Sequence, residues 1–170
     1  MTAGHTGTRV GVTRARITLT TTAVLLAALD LGMKNWASRT LNDGSSTDLG
    51  PLNLRLAFNP GVAFSLGDTL PPAALLGAAG VIVVALAVFA VHLTRTAALP
   101  VVLALAAMLG GAVANVIDRA GDGLVTDYLH TGWFPTFNLA DVFVVTGAAV
   151  LVVASWRASD TDKRETGANR

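Results

Sequence analysis

The chain has 170 residues, 52% of them hydrophobic and 14% charged, with a formal net charge of +1 and no cysteine. Ordinary soluble domains carry roughly 25% charged residues, so this composition points to a small integral membrane protein. It excludes disulfides, thiol nucleophiles and Cys-bound metals, and no basic stripe interleaved with aromatics speaks for nucleic acid.

Residues 1–16 are rich in Thr and Gly and carry Arg9, Arg14 and Arg16, which reads as a flexible basic tail. Residues 17–36 form the first apolar segment. It is long enough to span a hydrocarbon core of about 30 Å at about 1.5 Å per residue. Two Arg precede it as they would a secretory signal peptide, but its length and the lack of a small-x-small site before Asp30 favour a retained helix. Asp30 and Lys34 stand at i and i+4, on one helix face, a spacing that suits an ion pair. Taken alone, they read as a snorkelling pair at a helix end, with Trp36 as an interfacial anchor.

Residues 40–69 are polar, with Asn42-Asp43-Gly44-Ser45 as a turn signal. Residues 52–58 alternate apolar and polar over their first five positions, as a half-exposed strand does; Asn59-Pro60-Gly61 breaks the pattern and residues 62–66 resume it. The expectation is a small extramembrane strand or hairpin. Pro71-Pro72 then precedes a second span at 73–93, which has no charged residue and ends near His92. After a turn at 94–96, a third span covers 97–116 and contains Gly110-Gly111, first of all a packing feature that lets helix backbones approach. A polar loop at 117–138 leads to a fourth span at 139–156, with Asp141 in its first turn. Residues 157–170 read as a disordered charged tail. The fold class is therefore an all-α membrane protein of four transmembrane helices with a small extracytoplasmic strand region.

Four spans put both termini on one side. That side holds eight basic residues (Arg9, Arg14, Arg16, Arg95, Arg157, Lys163, Arg164, Arg170) against four on the other (Lys34, Arg39, Arg55, Arg119). The positive-inside rule makes the first side cytoplasmic. Asp30, Asp118, Asp127 and Asp141 then all fall at the outer boundary.

Charged and polar groups at membrane depth persist when they are paired or used. Lys34 and Ser38 have the spacing of a Ser–Lys pair, but Asp30 would hold Lys34 charged, which is wrong for a base. His5, His92 and His130 are scattered, with no HExxH, so no metal site is expected. Paired carboxylates remain. Asp127 follows a Gly-rich turn and Asp141 opens the fourth helix, with Gly132 and Pro135 between them to turn the chain back. Two close carboxylates share a proton and can activate water against a peptide bond. The helix dipole favours Asp141 as the charged member. The plain alternatives stay open: Asp141 as a helix-start residue, Asp127 as a solvated loop carboxylate, Asn115-Asp118-Arg119 as a helix end with a local Asp–Arg pair. A proton-coupled carrier using the four acids as a relay, or a non-catalytic membrane chaperone, also fits residue chemistry alone.

Four blocks carry a resemblance. They are Asp30-x-x-x-Lys34; Asn59-Pro60-Gly61-Val62-Ala63-Phe64-Ser65; Gly110-Gly111-Ala112-x-x-Asn115-x-Ile117-Asp118-Arg119-x-x-x-Gly123-x-Val125-x-Asp127; and Phe137-Asn138-Leu139-Ala140-Asp141. In this order over residues 17–156, they resemble bacterial lipoprotein signal peptidase, also called signal peptidase II. The resemblance implies a cofactor-free aspartic endopeptidase of the bacterial cytoplasmic membrane, read as a monomer, with both termini cytoplasmic and its site at the extracytoplasmic face. It cuts lipid-modified prolipoproteins just before the diacylglyceryl Cys, beneath a small β-cradle, and is the target of globomycin. The resemblance puts the catalytic pair on Asp127 and Asp141. Dyad support or substrate binding falls on Asp30, Lys34, Asn59, Gly61, Asn115, Asp118, Arg119, Asn138 and Ala140. Tyr128 departs from the family's common Phe.

Overall fold

The computed structural model describes residues 11–60 and 70–168; side chains are described through residue 159. Four helices, α1 (Val12–Thr40), α2 (Pro72–Leu93), α3 (Leu99–Asp122) and α4 (Leu139–Ala168), accompany strands β1 (Ser46–Asp48), β2 (Asn53–Asn59) and β3 (Val125–His130). Each helix is long and apolar enough to cross a membrane, α4 over Leu139–Ser159. The four-span expectation holds, with longer elements. The first helix begins at Val12 rather than 17, the third runs on to Asp122 rather than 116, and the fourth continues to Ala168 where a disordered tail was expected from 157. Polar residues extend these helices because backbone hydrogen bonding does not end where apolarity does. The expectations for residues 1–10, for Gly61 and for strand residues 62–66 lie outside the described residues.

Helix α3 is the central post, packing against α1, α2 and α4. Lipid tails are as apolar as Leu, so helix association in a bilayer depends on close fit. Here the fit comes from small residues. Helix α1 buries Ala15, Leu19, Ala23, Ala27, Asp30, Lys34 and Ala37, a stripe at steps of three and four. A Cβ on Gly110 would come within 2.6 Å of the Ala23 carbonyl oxygen, and one on Gly111 would strike the Ala140 carbonyl. Gly147 on α4 is equally tight: a Cβ there would sit 2.5 Å from the Ala104 carbonyl oxygen. Adjacent glycines thus admit α1 on one side of α3 and α4 on the other. By contrast α2 buries only Ala90 and exposes Val81, Ile82, Val84, Val88 and Phe89, as a lipid-facing helix does.

The strands form one antiparallel sheet in the order β1-β2-β3. The alternating stretch at 52–58 is indeed a strand, and a bulge between Leu54 and Ala57 interrupts its period. Arg55 and Phe58, three apart, are therefore its exposed residues. The second partner of β2 is β3, inside what read as a loop; Ala57 pairs with Asp127 and Asn59 with Val125. Helix α3 ends at Gly123, whose φ of +87° is the left-handed cap a side chain would resist; its N–H bonds the Arg119 carbonyl. The chain then turns straight into β3.

The glycine contacts predict opposite responses to one added methyl group. Gly111→Ala should lower thermal stability in detergent micelles by about 1–3 kcal/mol, since backbone must shift. Gly77→Ala on α2, where nothing lies within 4 Å, should be neutral or stabilising by up to about 1 kcal/mol.

Candidate active site

Asp127 and Asp141 arrive from different elements, β3 and the first turn of α4, and meet on one side chain. Asn138 precedes α4 and makes a reciprocal cap with Asp141. Its Oδ1 accepts the Asp141 N–H at 3.0 Å, and its own N–H donates to Asp141 Oδ2 at 3.2 Å. This is a capping box built from Asn and Asp. The free end of the Asn138 amide, Nδ2, donates to Asp127 Oδ1 at 2.7 Å and to Asn115 Oδ1 at 3.2 Å. Asn59, at the end of β2, donates through Nδ2 to Asp127 Oδ2 at 3.2 Å. Asn115 on α3 donates to Asp141 Oδ1 at 3.0 Å. All four carboxylate oxygens of the two Asp therefore accept an N–H.

Lys34 lies beneath this layer. It is 3% exposed and Asp30 is fully buried, so the pair does not snorkel. The α1 stripe that packs on α3 simply continues through both residues and turns them inward. Lys34 Nζ sits 3.0 Å from Asp30 Oδ2 and 3.1 Å from Asp118 Oδ2, and it donates to Asn115 Oδ1 at 2.5 Å. Asp118 then fastens β3 by accepting the Thr126 N–H at 2.7 Å and the Thr126 hydroxyl at 3.3 Å. Asp30 Oδ1 accepts the Ala140 N–H at 3.0 Å, one residue before Asp141. One ammonium group thus reaches both halves of the site: through Asp118 to the strand bearing Asp127, and through Asn115 and Asp30 to the helix bearing Asp141.

One expectation needs correcting. Asp118 does not pair with Arg119, because Lys34 and Thr126 occupy it; among the described residues Arg119 Nε is buried without a hydrogen-bond partner. Of the two roles open to Asn115, its contacts suit dyad support, since both ends of its amide are engaged by Lys34, Asn138 and Asp141. Two residues of the site were missed. Thr126 is the clamp just described. Tyr128 is fully buried, donates its hydroxyl to Asp30 Oδ1 at 3.5 Å and accepts the Leu139 N–H at 3.3 Å. Burial pushes its phenol up, so it remains a neutral donor. The signal was in the sequence, since a Tyr where Phe is common adds only a hydroxyl, and a buried hydroxyl needs a partner.

Asp127 is 2% exposed. Burial, and then the neighbouring charge of Asp141, push its carboxyl up to about 6, against partial relief from the Asn59 and Asn138 amides. A carboxyl of this kind changes protonation near neutral pH, as a general acid does. The four acids Asp30, Asp118, Asp127 and Asp141 gather at the sheet end of the bundle with Lys34 among them, which does not form a relay across the bilayer.

The family model for signal peptidase (SPase) II matches residues 22–157. The chain is 33% identical to a lipoprotein signal peptidase of Rhodococcus jostii (strain RHA1), over 91% of this chain and 80% of that protein. It is 36% identical to one of Brucella ovis, over 79% of this chain and 88% of that protein. Among solved structures, a bacterial membrane enzyme superposes with a TM-score of 0.72 at 25% identity, over 85% of this chain and 90% of that one.

Lys34→Met strands Asp30 and Asp118 without their cation and should cost about 3–5 kcal/mol. Adding Asp30→Asn should recover part of the loss in a double-mutant cycle of thermal stability. Asp127 predicts a pH signature of its own. Its folded pKa lies above the unfolded value of 3.8, so the folded state holds the proton longer and loses stability as pH rises from about 4 to 6. Asp127→Asn has no such loss. Its stability relative to wild type should climb over that window by on the order of 3 kcal/mol and then level off.

Proposed function

The chain belongs to the signal peptidase II family of membrane proteases, and from that premise we propose that it is an aspartic endopeptidase acting on diacylglyceryl-modified prolipoproteins. The observation that carries the reading is the convergence of Asp127 and Asp141 on the Asn138 amide, from two elements, in a buried setting. Burial and the neighbouring charge of Asp141 disfavour the charged form of Asp127, and an acid–base pair is the use that offsets that cost.

In this reading Asp127 holds the shared proton and Asp141 is ionised. Asp141 takes a proton from water as the water oxygen attacks the scissile carbonyl carbon. Asp127 gives its proton to the carbonyl oxygen, so that a neutral tetrahedral diol forms with no covalent enzyme intermediate. Collapse breaks the C–N bond, with Asp141 passing its proton to the departing amine and Asp127 regaining one from the diol. Asn138 keeps the two carboxyls in one geometry, and the capping box keeps Asp141 from rotating away. Arg119, with its buried Nε unpartnered among the described residues, is the donor to a substrate carbonyl, which has no water to bond at membrane depth. Asn59 joins Asp127 to the sheet over the site.

The substrate's anchor explains the location. Each buried methylene of a diacylglyceryl group is worth about 0.8 kcal/mol, so the scissile bond stays near the bilayer surface. The sheet end of the bundle is where α1 ends and α4 begins. By the distribution of Lys and Arg, this end faces away from the cytoplasm. Cleavage just before the lipidated Cys, and occupancy of the same channel by globomycin-like cyclic peptides, belong to this reading.

Separate Asp127→Asn and Asp141→Asn proteins should stay folded and lose at least about 10³-fold in cleavage of a lipidated precursor, each stripping one half of the acid–base pair. Near-normal turnover by either would remove that residue from the dyad. Wild-type kcat/KM should follow a bell-shaped pH profile, whose limb from Asp127 lies near pH 6 in the free enzyme.

A further inference from the structure

The loop at 131–136, between β3 and α4, presents an aromatic surface that neither the fold nor the proposed chemistry uses. Trp133 is 84% exposed and Phe134 49%. Their rings meet edge to face with centroids 5.6 Å apart, and Phe134 stacks in the same manner on Phe137 at 6.0 Å. The loop is not a loose end. Phe137 bridges back to Leu129, with N–H to carbonyl bonds of 2.9 and 2.8 Å in the two directions. Gly132, at a φ of +85°, makes the turn. Two residues after Phe137, α4 begins.

This anchorage fixes the height of the aromatic tip. Four residues of chain separate Trp133 from Phe137, at most about 14 Å fully extended, and the hairpin closure shortens that. The start of α4 lies at the end of a membrane span. The polar interfacial layer outside the hydrocarbon core is about 5–8 Å thick on each side. The tip is therefore held within about 14 Å of Phe137, which stands two residues before a membrane span, whichever side of the bilayer it faces. Residues 131–140 contain no charged side chain, as suits a segment in contact with lipid rather than open water. Trp36, in the last turns of α1, is 40% exposed at the same end of the bundle, and Trp156 is 71% exposed toward the opposite end. Trp at both ends of a bundle is the pattern of an aromatic belt.

We propose that the loop at 131–136 is an interfacial anchor, in which Trp133 and Phe134 insert among the lipid headgroups and set the depth of Asp127 and Asp141 below the bilayer surface. The occupant is the lipid surface itself. Trp133 supplies an amphipathic ring suited to that layer, and the edge-to-face ladder to Phe137 transmits its position to the residue that hydrogen-bonds β3 just after Asp127. The inference does not depend on the peptidase reading, and it is tested without activity.

The full chain carrying Trp36→Phe and Trp156→Phe leaves Trp133 as the sole tryptophan. It is reconstituted into phosphatidylcholine vesicles containing lipids brominated at shallow or deep acyl positions. The expected result is a blue-shifted emission, quenched severalfold more strongly by shallow than by deep bromines and little by aqueous iodide. Emission of a water-exposed indole, quenched by iodide and unmoved by bromolipid, would overturn the proposal. Protection from iodide without bromolipid quenching would also overturn it, indicating contact with a second copy or with the protein's own surface. The chain has no cysteine, so Trp133→Cys with a spin label gives an independent measurement. Oxygen should relax the label more than a water-soluble nickel complex does, and the reverse order counts against insertion.

Discussion

One buried ammonium group holds the site together. Lys34 is the hub between α1, α3 and, through its partners, β3 and α4. A lone lysine at this depth would be expelled or neutralised, because desolvation costs several kcal/mol per ion. Two carboxylates and an amide carbonyl offset that cost, but only if all three elements are in register. The same bonds that hold Lys34 therefore dictate where Asp118 and Asn115 stand, and these in turn hold β3 and Asp141. Buried ionic clusters are weak evidence for stability and better evidence for a unique arrangement. Here the arrangement is the one that brings Asp127 and Asp141 to a single amide.

The helices meet these demands through what they lack. Gly110 and Gly111 remove the two side chains that would keep α1 and α4 from the α3 backbone. The closeness at Gly111 is to Ala140, whose N–H bonds Asp30 and whose neighbour is Asp141. Packing and chemistry therefore share a residue, and Ala140 belongs to the site through its backbone rather than its methyl group. Against this rigid frame Asp127 carries the strain. Its carboxyl is raised by about two pH units, on the order of 3 kcal/mol unfavourable to its charged form at neutral pH. The frame tolerates that cost because Asn59 and Asn138 bond both oxygens of that carboxyl.

Much of this was legible in the sequence, for different reasons. The four spans follow from runs of apolar residues. The Asp30-Lys34 face follows from helix periodicity, and the candidate pair Asp127 and Asp141 from the chemistry of carboxylates beside turns. What could not be read is the long-range pairing. The partner of Lys34 across the bundle is Asn115, 81 positions away. Nothing local distinguishes Asp118 paired with Lys34 from Asp118 paired with its neighbour Arg119. Strand β3 was hidden because Val125-Thr126-Asp127-Tyr128-Leu129-His130 is buried along both faces for its first four residues, so no alternation marks it. Tyr128 reads as a conservative aromatic until its hydroxyl is seen to join Asp30 to the start of α4.

Strand β3 also explains why the site lies at the end of the bundle. Non-helical backbone at membrane depth must satisfy its own hydrogen bonds, so a bare loop carrying Asp127 into that region would be costly. The strand solves this on both edges. One pairs with β2, and the other is closed by Phe137, by the Asp118 carboxylate on the Thr126 N–H and by the Asn138 amide at the Thr126 carbonyl. Asp127 can then be buried without leaving its backbone unsatisfied. Water is a reactant in the proposed chemistry, and it is scarce at the bilayer midplane but abundant just beyond the helix ends. A strand laid across those ends gives Asp127 enough burial to raise its pKa while keeping it within reach of water. A strand bonded on both edges is thus what the proposed acid–base chemistry requires at a lipid boundary, rather than an ornament on a helical bundle.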